Sequence, residues 1–191
     1  MSFRYIFPIF FSIALMGCGN NAQTGDYTTK EKPVTREQKN IVPIQKIEFI
    51  GDIATLDGAP FNGIIGIYTS GNVLLSEQTY RDGIKEGQWS VYHPNGKLQK
   101  EGIIQDGLEH GRYREWYPSG HLKYEYQYDA GKKVGKWLSW YEDGTPYTER
   151  NFVNGQLEGK VLVWDEEGLL AKEYDYRSGR QVNAIMHFEN R

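Results

Sequence analysis

Five carboxylates keep time along this chain. Glu77, Glu101, Glu125, Glu149 and Glu173 stand 24 residues apart. Such a row could do general acid–base work, ligate a cation, or accept hydrogen bonds from hydroxyls and amines. Three large rings, Trp89, Tyr113 and Trp137, follow the same interval, and rings offer stacking surfaces. Trp89, Tyr113, Trp137, Glu101, Glu125 and Glu149 therefore form the candidate partner-binding face. Catalysis is the weaker use of the acids. With two strands per unit, equivalent carboxylates lie about 9–10 Å apart on a flat face, and glycosidase pairs at such distances work only within a pocket. The leading reading is cross-strand pairing, each glutamate stem under a ring and its head against a lysine or arginine. The second is an aromatic–carboxylate stripe that binds a glycan or a peptide.

No other residue set carries stronger chemistry. His93, His110, His121 and His187 show no metal-ligand spacing, and His93 and His121 read as solvated residues beside turns. Ser119, in Pro118-Ser119-Gly120, lacks a nucleophile-elbow context. The glycines form neither a dinucleotide fingerprint nor a P-loop. No catalytic residue, cofactor or metal site is expected. The single cysteine, Cys18, excludes an internal disulfide framework and a cysteine-based zinc site. With 39% hydrophobic residues, 25% charged residues and a net charge of −3, the chain suits a folded body. It lacks the basic surplus that draws proteins to phosphate backbones, so nucleic acid is not an expected partner.

The elements that hold these residues repeat with them. Gly63, Gly87, Gly111, Gly135 and Gly159 are 24 residues apart, as are Gly83, Gly107, Gly131, Gly155 and Gly179. A third series, Gly96, Gly120, Gly144 and Gly168, keeps the period, with Gly71 one residue early in the first copy. Five residues after each leading glycine stand Tyr68, Tyr92, Trp116, Trp140 and Trp164; eleven after stand Leu74, Leu98, Leu122, Pro146 and Leu170. Aromatic runs punctuated by Asn-Gly and Asp-Gly read as β-hairpins joined by glycine turns, and no glycine-free stretch is long enough to bury a helical face. The expectation is an all-β fold: an elongated, curved antiparallel meander of ten to twelve strands, with five repeats starting near 63, 87, 111, 135 and 159. Half units close it, Ile44 to Ile50 in front and Ala184 to Phe188 behind.

Alternation along strands then divides the side chains. With each hairpin centred on its turn, the ring at offset five faces the leucine at offset eleven, and the residue at offset two faces the glutamate at offset fourteen. One face, the expected core, collects Tyr92, Trp116, Trp140 and Trp164 with their leucines and with Tyr80, Tyr128, Phe152 and Tyr176. The other carries Trp89, Tyr113 and Trp137 beside Glu101, Glu125 and Glu149. A slip of one residue would exchange the faces.

Two resemblances add to this reading. Leu15-Met16-Gly17-Cys18 after an apolar run resembles the lipobox of bacterial lipoproteins, with Leu15 and Gly17 framing the cleavage and Cys18 as the acylated residue. That resemblance implies a signal peptide over 1–17 and a membrane anchor at Cys18. It also implies a bacterial envelope location, with Gly19 favouring the outer membrane in a Gram-negative cell. Residues 18–43 are polar and aperiodic and read as a disordered tether reaching about 25–30 Å, ahead of a repeat domain over 44–191. The phrase Gly87-Gln88-Trp89-Ser90-Val91-Tyr92-His93-Pro94-Asn95-Gly96-Lys97-Leu98 is similar to the MORN-repeat variant of bacteria, whose members are often labelled antitoxins. This resemblance implies a single curved antiparallel sheet. The expected function is a lipid-anchored envelope protein that presents a non-catalytic binding or scaffold surface to a protein or glycan. The alternatives are an immunity-like factor that neutralises a partner toxin and an enzyme acting on cell-wall polymer.

Overall fold

The chain divides into two units, Met1–Glu37 and Gln38–Arg191. The structure, a computed structural model, describes residues 40–187, all within the second. The expected lipobox and most of the expected tether lie outside the described residues. The described part is almost wholly strand. β1 (Ile41–Pro43) leads through a short 3-10 turn, Ile44–Lys46, to β2 (Glu48–Ile50), β3 (Ile53–Leu56), β4 (Ala59–Pro60) and β5 (Gly63–Tyr68). Long strands follow: β6 (Leu74–Arg81), β7 (Ile84–Tyr92), β8 (Leu98–Gln105), β9 (Leu108–Trp116), β10 (Leu122–Asp129), β11 (Lys132–Trp140) and β12 (Pro146–Val153). The last are β13 (Gln156–Leu157), β14 (Gly159–Trp164), β15 (Leu170–Arg177) and β16 (Arg180–Met186). From β5 onward the sheet is an antiparallel meander in chain order, with β13 pairing beside β12.

Two kinds of turn alternate along its two edges. On one edge sit two-residue turns in which both residues have positive φ, such as Asp106 at 52° with Gly107 at 76°. This type I′ geometry matches the twist of a hairpin. On the other edge, Gly96, Gly120, Gly144 and Gly168 take positive φ and donate to the carbonyl three residues back. In the first copy Asn72, at φ 62°, occupies that place, so the period is unbroken and Gly71 is not the equivalent residue. Asparagine tolerates this conformation better than other side chains. The leading glycines do something else. Gly87, Gly111 and Gly135 lie inside β7, β9 and β11 with positive φ, as strand irregularities rather than turns.

Consecutive turns are also stapled to one another. Gly131 N–H donates to Glu109 O at 2.8 Å, Gly155 to Lys133 O and Gly179 to Leu157 O, both at 2.9 Å. Opposite, the Asn95 side chain donates to Pro118 O at 2.9 Å.

The front of the array departs from expectation. Ile41–Pro43, assigned above to the tether, pairs with β5 in parallel register. Glu48–Ile50 is not a leading half unit but the edge of a separate three-stranded sheet, β2-β3-β4. Ala54 of this sheet, with Ile47 and Phe61 flanking it in the chain, packs against Ile65 and Tyr80 in a buried cluster. It docks on the Asp82-Gly83 turn, where Ala54 N–H donates to Gly83 O at 2.8 Å. A cap of this kind covers apolar surface that the first repeat would otherwise expose.

Candidate binding surface

One bulge per hairpin decides which side chains share a face. Tyr92 pairs with Leu98 as expected, but the register then shifts, so Val91 pairs with Lys100, Ser90 with Glu101 and Trp89 with Gly102. Gln99 is the extra residue. The same shift recurs between Leu122 and Tyr124, at Trp140, at Trp164 and at Tyr68. An added residue reverses the facing of everything beyond it. Two expectations are therefore corrected together. Glu101, Glu125 and Glu149 do not stand beside Trp89, Tyr113 and Trp137; they share the face of Tyr92, Trp116, Trp140 and Trp164. Tyr80, Tyr128, Phe152 and Tyr176 leave that expected core face and join Trp89, Tyr113 and Trp137.

The carboxylate face is internally satisfied. The five glutamates alternate across the sheet with Ser90, Arg114, Leu138 and Leu162. Glu77 accepts from the Tyr92 hydroxyl at 2.9 Å. Glu101 meets Arg114 at 2.7 Å and Glu149 meets Lys136 at 2.7 Å. Arg112 lies 3.8 Å from Glu125, and Lys160 bonds Glu173. These pairs use the acids up as cross-strand contacts.

The ring face is built differently. Trp89 and Tyr113 lie edge to face, 5.7 Å between centroids. Tyr113 stacks on Tyr126 at 5.7 Å and 23°, Tyr126 on Trp137 at 4.6 Å and 28°, and Trp137 meets Phe152 at 5.0 Å. Tyr128 braces Tyr113, Tyr126 and Trp137 edge-on. Tyr113 is 1% exposed although the sheet is a single layer. Its ring covers Gly102, where a Cβ would stand 2.5 Å from Cε1. The tyrosine closes over that gap and donates its hydroxyl to Ile103 O at 2.7 Å.

A depression of about 210 Å³ opens beside the Tyr126–Trp137 stack. Ser139 and Thr148, both buried and bonded to each other at 2.6 Å, sit at its base. Around them stand Glu115, Tyr124, Tyr126, Trp137 and Arg150. Arg150 is the direct cross-strand partner of Trp137. Glu115 pairs with Lys100 at 2.9 Å and accepts from the Tyr126 hydroxyl at 2.5 Å. Burial alone would raise the Glu115 carboxyl, but these two donors together hold it below the ordinary value. Burial first, then the Glu115 carboxylate, push the Tyr126 hydroxyl above its ordinary value, so it stays a donor.

Three of these units match the MORN repeat variant family. The matched residues are 85–106, 109–130 and 133–154, which are the units carrying the ring ladder. A binding or scaffold role is the general one for such repeats. No curated protein matches the chain.

Sequence reasoning missed Tyr126, Glu115 and Arg150, whose offsets carry no common residue type. It also misplaced His93, which is buried rather than solvated; its Nε2 donates to Trp116 O at 2.9 Å. The hydroxyls of Tyr117 and Tyr141 make the same contact to Trp140 O and Trp164 O at 3.0 Å, so His93 is one of three clamps between repeats. His121 is exposed and bonds Glu142 O. Among the described residues no group of three or more His, Cys, Asp or Glu could hold a metal ion.

Proposed function

We propose that this protein is a lipid-anchored envelope protein that holds a protein partner against its ring face and performs no catalysis on it. The anchor is acylated Cys18, and the support for it is the Leu15-Met16-Gly17-Cys18 sequence after an apolar run. Several acyl chains on one residue exceed the two-signal threshold for stable anchoring. The observation that carries the binding reading is the ladder from Trp89 to Phe152, flanked at Tyr126 and Trp137 by a depression lined by the Ser139 and Thr148 hydroxyls. A protein partner fits better than a glycan. A sugar stacks on an exposed ring face, and here the faces of Tyr113 and Tyr126 are covered by neighbouring rings. The glutamates leave the site, being opposite and paired.

The test is capture from the native envelope with wild type, Trp137→Ser and Trp140→Ser. Each variant removes one half-buried indole, from opposite faces. Loss of the captured protein with Trp137→Ser alone supports the reading; loss with Trp140→Ser alone, or with neither, refutes it. Cys18→Ser is expected to leave the membrane fraction, and its retention there would refute the anchor.

A further inference from the structure

We infer that the depression beside Arg150 takes the acidic side chain of an extended peptide lying along the ring ladder. This inference rests on the ring-face reading and names its ligand chemistry.

Size comes first. Pockets that engulf whole small ligands run from about 300 to 1,000 Å³, so about 210 Å³ holds one side chain. Charge comes next. Among the described residues, no carboxylate forms an ion pair with Arg150, in contrast to Arg112, Arg114, Lys100 and Lys160. The Lys133 ammonium likewise has no carboxylate partner among the described residues and lies over rings, 4.7 Å from Trp137 and 5.3 Å from Phe152. Glu115 brings no surplus negative charge, since Lys100 neutralises it. Glu109 is the nearby carboxylate that opposes an anion; it acts on Tyr113, Tyr126 and Tyr128, the last two of which line the depression, so Arg150 and Lys133 together must outweigh it. The rim beside Trp137 thus carries two cations in a chain of net charge −3.

The rings point the same way. Tyr113 and Tyr126 are buried among their neighbours, and Lys133 lies over Trp137 and Phe152, so the rings of the rim hold a cation beside Arg150. A carboxylate meets favourable partners on both sides, and guanidinium holds it through two parallel N–H donors. An extended peptide suits the rest of the surface. From β7 to β12 the ladder crosses five strand spacings, roughly 24 Å, which about seven extended residues span.

The experiment immobilises the purified full chain and measures retention of amide-capped hexapeptide pools. The pools are random except at one central position, held as Glu or as Gln. The Glu pool is expected to be retained at least tenfold better, and Arg150→Gln should abolish that preference while Arg112→Gln, on the opposite face, preserves it. Among the described residues Arg150 has no ion pair to lose, and glutamine keeps its backbone place opposite Trp137, so its variant should melt like wild type. Equal retention of both pools would overturn the carboxylate inference and leave the ring-face reading standing. Retention of neither pool would overturn both. A Glu preference that survives Arg150→Gln would refute the assigned anchor. A Gln pool with free C-termini retained better than the Glu pool would replace the side chain with a terminal carboxylate. Displacement of the Glu pool by a chitin oligosaccharide would point to a glycan and overturn the peptide.

Discussion

Replacing Gly102 by alanine tests the packing of the ring face with one methyl group. Gly102 lies within β8 and is not among the glycines of positive φ, so the change carries no left-handed backbone penalty. Its new Cβ would stand 2.5, 2.7 and 2.7 Å from three atoms of the Tyr113 ring, well inside contact distance. Tyr113 cannot lift away freely, because it is wedged against Trp89, Tyr126 and Tyr128. Overpacking of this kind costs about 1–3 kcal/mol. Displacing the ring also weakens the 2.7 Å bond to Ile103 O, about 1 kcal/mol more. The expected destabilisation is about 2–4 kcal/mol, read from urea midpoints followed by tryptophan fluorescence. In a Tyr113→Ala background the clash is gone. The same substitution should then be neutral or stabilising by about 0.5–1 kcal/mol, because alanine loses less backbone entropy than glycine on folding. Gly71→Ala is the control: its nearest neighbour would be 3.7 Å away, and its effect should stay within about 0.5 kcal/mol. Equal destabilisation by Gly102→Ala in both backgrounds, or none in the wild type, would refute this account of the packing.

Other outcomes follow from the same geometry. Ala130 holds φ 45° in a type I′ turn where the equivalent residues are Asp106 and Asn154, so Ala130→Asn should raise the urea midpoint, by about 1 kcal/mol of stability. Tyr117→Phe removes one clamp between repeats at 3.0 Å and should cost about 1 kcal/mol in the same assay. The Glu115 carboxyl is held below its ordinary value of 4.5, so its contribution is full above that pH and fades as pH falls through the folded-state value. Glu115→Gln should therefore be less stable than wild type at pH 7, with the gap closing toward pH 3. Gly83→Ala forces a Cβ within 2.8 Å of Ala54 O at φ 79° and should release the front cap, seen as faster amide exchange at Ala54 and Phe61.

The meander was legible in the sequence because turns advertise themselves. A two-residue turn with positive φ at both places admits few side chains, so Gly107 and its equivalents mark one edge; Gly96 and its equivalents mark the other, where Asn72 stands in because asparagine tolerates that backbone. The facing was not legible. The bulge falls on Gln99, Lys123, Tyr147 and Ala171, which share no chemistry, because a bulged residue lacks a cross-strand partner and is under little pressure of type. That silent residue moved the glutamates to one side and Tyr128 and Phe152 to the other. Arg150 shares its place in the repeat with Gly102 and Tyr126, so no spacing could single it out. His93 had a signal that went unused. Tyr117 and Tyr141 stand at the same offset, and all three carry a donor at the tip of a ring.

Leu162 and Val163 are neighbours in β14 that point to opposite faces: Leu162 pairs with Glu149 and Glu173, and Val163 with Thr148 and Lys172. The most direct measurement places a photo-crosslinking amino acid at one or the other in living cells and resolves the adducts by mass. The ring face as the partner's seat requires a discrete protein adduct from position 163 and none from position 162. An adduct from 162 alone, or the same adduct from both, would contradict it.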